Sequence, residues 1–142
     1  MIYQQTTQFP NSLVDTHLPN LTESEVKIIL VIIRQTNGWV DKRTGSRKTR
    51  DWISHGQFIK KTGLSRRVIS KSLQSLVEKN LIQITCRNGN LLHKAVDRRG
   101  VTRMFYSYQA ESVRLKIQTL RTFGAKNIGQ IIERSKYPSL FA

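Results

Sequence analysis

The sequence predicts a mainly α-helical domain with a small β hairpin, and three observations carry that expectation. Apolar residues recur at helical spacing in three stretches, each opened by a Ser or Thr in capping position. The second and third stretches are separated only by "TGLS" (Thr62–Ser65), a helix-turn-helix junction containing glycine. After the third stretch comes the alternating "LIQITCR" (Leu81–Arg87), followed by Asn88-Gly89, a strong hairpin signal.

The elements follow in chain order. Residues 1–20, with "FPNSLVDTHLPNL" (Phe9–Leu21) at their end, read as an extended lead-in with at most one helical turn near Asn11–Thr16. Thr22 and Glu25 have capping-box spacing, and Val26, Ile29, Leu30 and Ile33 follow at i, i+3, i+4 and i+7. Asn37-Gly38 stops that helix. It is apolar on most sides, so it belongs at the centre of the core. "VDKRTGSRKTRD" (Val40–Asp51) is a polar, basic loop bracketed by Trp39 and Trp52, which read as hydrophobic anchors of its ends rather than base-stacking platforms. "WIS" (Trp52–Ser54) is a short strand running into a second capping box, Ser54 and Gln57. The helix from His55 to about Thr62 turns Phe58 and Ile59 inward and Lys60 and Lys61 outward. Gly63 closes it, and Ser65 caps the next.

The third helix runs from Arg66 to about Lys79. Ile69, Leu73, Leu76 and Val77 fall on one face, with Val68 at its margin. Arg67, Ser70, Lys71, Gln74 and Glu78 fall on the other. "VTRMFYSY" (Val101–Tyr108) is the returning strand of the hairpin, and Cys86 on the outgoing strand faces the core. A hairpin directly after a helix-turn-helix is the wing of a winged helix. Residues 21–108 therefore read as a winged helix-turn-helix, and residues 109–142 as a C-terminal helical tail with Val113, Ile117 and Leu120 at helical spacing.

Charge points to the class of partner. The net charge is +15. Up to Val40 the only charges are Lys27 and Arg34 against Asp15, Glu23 and Glu25, so all the positive excess lies beyond that point. A chain basic in one part points to a polyanion, and nucleic acid comes first. No membrane partner is expected: no apolar run approaches the ~18 residues of a span, and no basic segment has a broad apolar face. "MIYQQTTQF" has no basic flank before an apolar core, so no secretory leader is expected. The lone Cys86 fits a reducing, cytoplasmic setting.

No enzyme and no cofactor are expected. His17, His55 and His93 are far apart, and none has a His or Cys neighbour at metal-ligand spacing. Phosphate-loop, dinucleotide and nucleophile-elbow motifs are absent, and the carboxylates do not cluster for two-metal chemistry.

What remains is a helix whose first turn carries Arg66 and Arg67 against its own dipole. Each such charge costs about 0.3–1 kcal/mol. A solvated polar face is the bland reading. The sharper one is double-stranded DNA, because a recognition helix enters the major groove by its N-terminal half. Ser65 and the free amides of the first turn can then hold a phosphate. Arg66, Arg67, Ser70, Lys71 and Gln74 are the candidate contacts, since Arg suits guanine O6/N7 and Gln suits adenine N6/N7. Arg87, Asn88, Lys94, Arg98, Arg99 and Arg103 lie in the wing, and Arg47, Lys48 and Arg50 in the basic loop.

Four stretches, "FPNSLVD", "LTESEVKIILVIIRQTNGW", "DWISHGQF" and "KKTGLSRRVISKSLQSLVEKNLI", together resemble the N-terminal domain of the phage replication protein O family. The resemblance covers Phe9 to Ile82. It implies binding to repeats in a replication origin and recruitment of a replication partner protein, with Arg66, Arg67, Ser70 and Lys71 bearing the DNA contacts. The segment from Trp39 to Ile53 and the wing are both longer than that family's pattern. A transcriptional regulator using the same winged helix, and an adaptor docking a protein or RNA, are the alternatives. The apolar tail either packs in cis on its own winged helix or forms a homodimer, which would set two recognition helices on neighbouring half-sites.

Overall fold

Thr22 lies in extended backbone, and its hydroxyl accepts from the Glu25 backbone N–H at 3.2 Å, which starts α1, Glu23–Gln35. The computed structural model describes residues 4–109. The reciprocal half of the expected capping box does not form. The Glu25 carboxylate is buried and meets the Lys79 ammonium at 2.8 Å, with the Thr22 hydroxyl donating to it at 3.1 Å. The start of α1 packs on the end of α3 (Arg66–Glu78), and a charged partner from there outcompetes the helix's own backbone.

The buried stripe of α1 is Glu25, Ile28, Ile29, Ile32 and Ile33. Leu30, expected inward, is 46% exposed. The stripe is rotated because α1 is apolar nearly all round, so packing and not pattern selects its inner face. Gly38 ends the element by close approach: a Cβ there would collide with the Arg34 carbonyl oxygen.

The helical turn expected near Asn11–Thr16 in the lead-in forms over Leu13–His17, and an unexpected 3-10 turn over Leu18–Asn20 follows it. Leu13 is buried in the main core.

Strand β1, Asp51–Trp52, leads into α2, His55–Thr62. The Ser54–Gln57 capping box is complete in both directions, at 2.9 and 3.1 Å. Phe58 is buried, whereas Ile59, expected inward, is 38% exposed. Gly63 takes φ +74°, a left-handed cap, and returns its N–H to the Ile59 carbonyl at 2.8 Å. Ser65 then caps α3 through the Val68 N–H. On α3, Ile69, Leu73, Leu76 and Val77 are buried, as their spacing requires.

Asn80, at φ 57°, turns the chain into β2, Ile82–Thr85. Asn88-Gly89 makes its tight turn: the Cys86 N–H donates to the Asn90 carbonyl at 3.0 Å and the Leu92 N–H to the Ile84 carbonyl at 2.8 Å. This return arm is not the main partner of β2. The chain runs on through a 3-10 turn, Ala95–Arg98, and comes back as β3, Phe105–Tyr108. β3 lies antiparallel between β1 and β2, giving the order β1-β3-β2. The predicted hairpin is thus a three-stranded sheet, because β1 gains a partner far along the chain.

Ile84 pairs with Tyr106, and both face the helices. The rings of Phe58 and Tyr106 meet edge to face, 5.2 Å apart at 83°. Burial raises the Tyr106 pKa to about 12, with Arg98 pulling the other way. The described part is mainly helical with a small antiparallel sheet, in the winged helix-turn-helix arrangement. The tail helix and the dimer contact expected of it fall at residues 110–142, outside the described residues.

Candidate nucleic-acid interface

Gly63 and Ser65 fix the angle at which α3 leaves the turn, and its buried stripe fixes its rotation. Together they leave Arg66, Arg67, Ser70 and Lys71 exposed. The first turn holds no acidic residue. The side chains brought together here are therefore cationic or neutral, around amides that need an acceptor.

Gln74 lies farther along the same face, but both ends of its amide are engaged. Its Nε2 donates to Glu78 Oε1 at 3.1 Å, and its Oε1 accepts from Arg98 Nη2 at 2.6 Å. Arg98 also donates from Nη1 to the Leu92 carbonyl at 3.1 Å. The guanidinium is half-buried, and burial lowers its pKa from the ordinary value. Arg98, one of the expected wing contacts, also braces the wing against α3. The reason is the 3-10 turn, which carries Arg98 back over the helix.

The other expected contact residues divide in the same way. Arg87, Asn88, Lys94 and Arg99 are exposed along the wing. Arg47 donates to the Asn37 carbonyl at 3.0 Å, which closes the base of the basic loop. Lys48 pairs with Asp51 at 3.2 Å. Arg50 crosses to the wing, donating to the Thr85 hydroxyl at 2.9 Å and to the Arg87 carbonyl at 3.3 Å. Arg103 stacks over the Trp52 ring at 4.9 Å. Trp39 and Trp52, expected as hydrophobic anchors of the loop ends, are 50% and 38% exposed, and each has an arginine over its ring.

His55 was expected only as a helix-start residue. It lies beside this surface, and its Nε2 is buried without a hydrogen-bond partner. Burial lowers its pKa, followed by repulsion from Arg66 and then from Arg98. No sequence pattern marks this, because Arg98 arrives from the wing. The folded chain refuses a proton that the unfolded chain accepts near pH 6.5. Stability from His55 is therefore fully present above that pH and is lost as pH falls below it toward the lowered value. Urea midpoints at pH 7.5 and 5.5 should fall for the native chain and fall less for His55→Gln. Equal falls would remove His55 as the cause.

Among the described residues no helix is long and apolar enough to cross a membrane, and no group of three or more His, Cys, Asp or Glu could hold a metal. Neither the curated proteins nor the solved structures give a match. A family model described as bacteriophage replication protein O matches residues 5–97, which takes in the lead-in, α1, the whole helix-turn-helix, β2 and the wing as far as Asp97. With that match over well more than half its length, the chain belongs to the bacteriophage replication protein O family.

Proposed function

We propose that the chain is a sequence-specific duplex-binding protein that recognises a replication origin of a phage or mobile element. The supporting observation is the exposed group Arg66, Arg67, Ser70 and Lys71 at the N-terminal half of α3, with no carboxylate in its first turn. Family membership supplies the replication context. In this reading the phosphates of a duplex offset the charge that the helix dipole opposes. Arg67 and Lys71 read base edges in the major groove, and Ser65 with the first-turn amides holds a phosphate. Arg87, Lys94 and Arg99 follow the backbone from the wing, while Arg98 keeps the wing in register with α3. The chain works in the cytoplasm by binding alone, without catalysis, and delivers a replication partner to the origin.

If about 6 phosphates are neutralised, log K falls against log[salt] with a slope near −5. The measurement is a titration of labelled duplexes carrying repeats from the origin, and of scrambled controls, from low to moderate salt. A slope near zero, or equal affinity for repeat and control, would sink this reading.

A further inference from the structure

We propose that the outward face of the three-stranded sheet is a second binding surface, which takes single-stranded DNA on stacked aromatic and guanidinium groups. The register puts Trp52 opposite Phe105, and Phe105 opposite Thr85, so all three share one face. That face is the reverse of the one carrying buried Ile84 and Tyr106. Arg103 stands over the Trp52 ring at 4.9 Å, and Arg50 over the Phe105 ring at 4.5 Å. Arg50 is pinned there by the Thr85 hydroxyl. Two cations and two aromatic rings are thus held together across neighbouring strands.

The chemistry selects the occupant. An unpaired base has an open π face that stacks on an indole, a phenyl ring or a guanidinium plane, and its phosphates meet the same cations. A duplex keeps its base faces inside its own stack and cannot use the rings. Charge is complementary, because the adjacent carboxylate, Asp51, pairs in register with Tyr106 on the other side of the sheet. There it accepts from Gln35 and Lys48. Trp52 is 38% exposed, so solvent and a ligand reach it. The surface does not depend on α3, so it stands or falls separately from duplex recognition.

The test uses the full chain and three labelled probes: a 12-residue oligo(dT), an abasic strand of the same length, and a mixed-sequence duplex. Anisotropy should show oligo(dT) bound about tenfold more tightly than the abasic strand, since phosphates are equal and only stacking differs. Trp52→Ala should weaken oligo(dT) binding by about five- to a hundredfold with duplex binding unchanged, and Arg103→Ala should also weaken oligo(dT) binding. Trp52→Phe, which keeps a ring, should retain most of it. Arg67→Ala with Lys71→Ala should do the reverse, weakening the duplex and sparing oligo(dT). Equal binding of oligo(dT) and the abasic strand would overturn the proposal. So would a Trp52→Ala variant that weakens duplex and single strand alike.

Discussion

Replacing Arg67 and Lys71 together by alanine should abolish most discrimination between sites while leaving the fold intact. Both side chains are exposed on α3. Surface substitutions of this kind stay within about 0.5 kcal/mol of native stability. Removing positive charge from the first half of a helix even relieves the dipole slightly. A base-reading contact contributes about 1–3 kcal/mol, so the pair carries about 2–6 kcal/mol, or roughly thirtyfold to twenty-five-thousandfold. The quantity to measure is the ratio of Kd values for an origin-repeat duplex and a scrambled one. That ratio should collapse toward one. Arg99→Ala, on the wing, should instead weaken both duplexes by a similar factor and leave the ratio alone. If the α3 variant loses repeat and scrambled DNA equally, its residues bind backbone and the assignment of roles is wrong.

Lys79→Met should be the more damaging change for stability. Lys79 holds the Glu25 carboxylate at 2.8 Å and the Asn20 carbonyl at 2.9 Å. The Glu25 side chain is only 5% exposed, so losing its partner strands a charge out of water. Breaking a buried pair on one side costs about 3–5 kcal/mol. The low end applies, because the Lys79 side chain is 36% exposed and water reaches it. The hydroxyls of Thr22 and Ser75, at 3.1 and 3.5 Å, remain to solvate the carboxylate in part. Urea unfolding at pH 7 should show this loss for Lys79→Met. The double change Glu25→Gln with Lys79→Met should recover much of it, since no buried charge is left. A double variant no better than the single would mean that packing, not charge, explains the loss.

The sequence by itself determined where the helices begin, where the chain turns and which face of α3 is exposed. Thr22, Ser54 and Ser65 cap the helices through residues three positions away, and Gly63 supplies the left-handed turn. These interactions are local, so a short window of residues contains them. The exposed group on α3 was legible for the same reason: the helical period sorts Ile69, Leu73 and Leu76 onto one face and Arg67, Ser70 and Lys71 onto the other. Only the tertiary structure decided the inner face of α1, where an apolar surface nearly all round let packing choose Ile28 and Ile32 over Leu30. It likewise decided which polar groups are spoken for. Glu25 meets Lys79 across 54 residues, Arg50 meets Thr85 across 35, and Arg98 meets Gln74 across 24. It set Trp52 beside Phe105 by giving β3 two strand partners. Periodicity says which way a side chain faces from its own element. Which group waits there depends on how distant segments pack, and no local pattern encodes that.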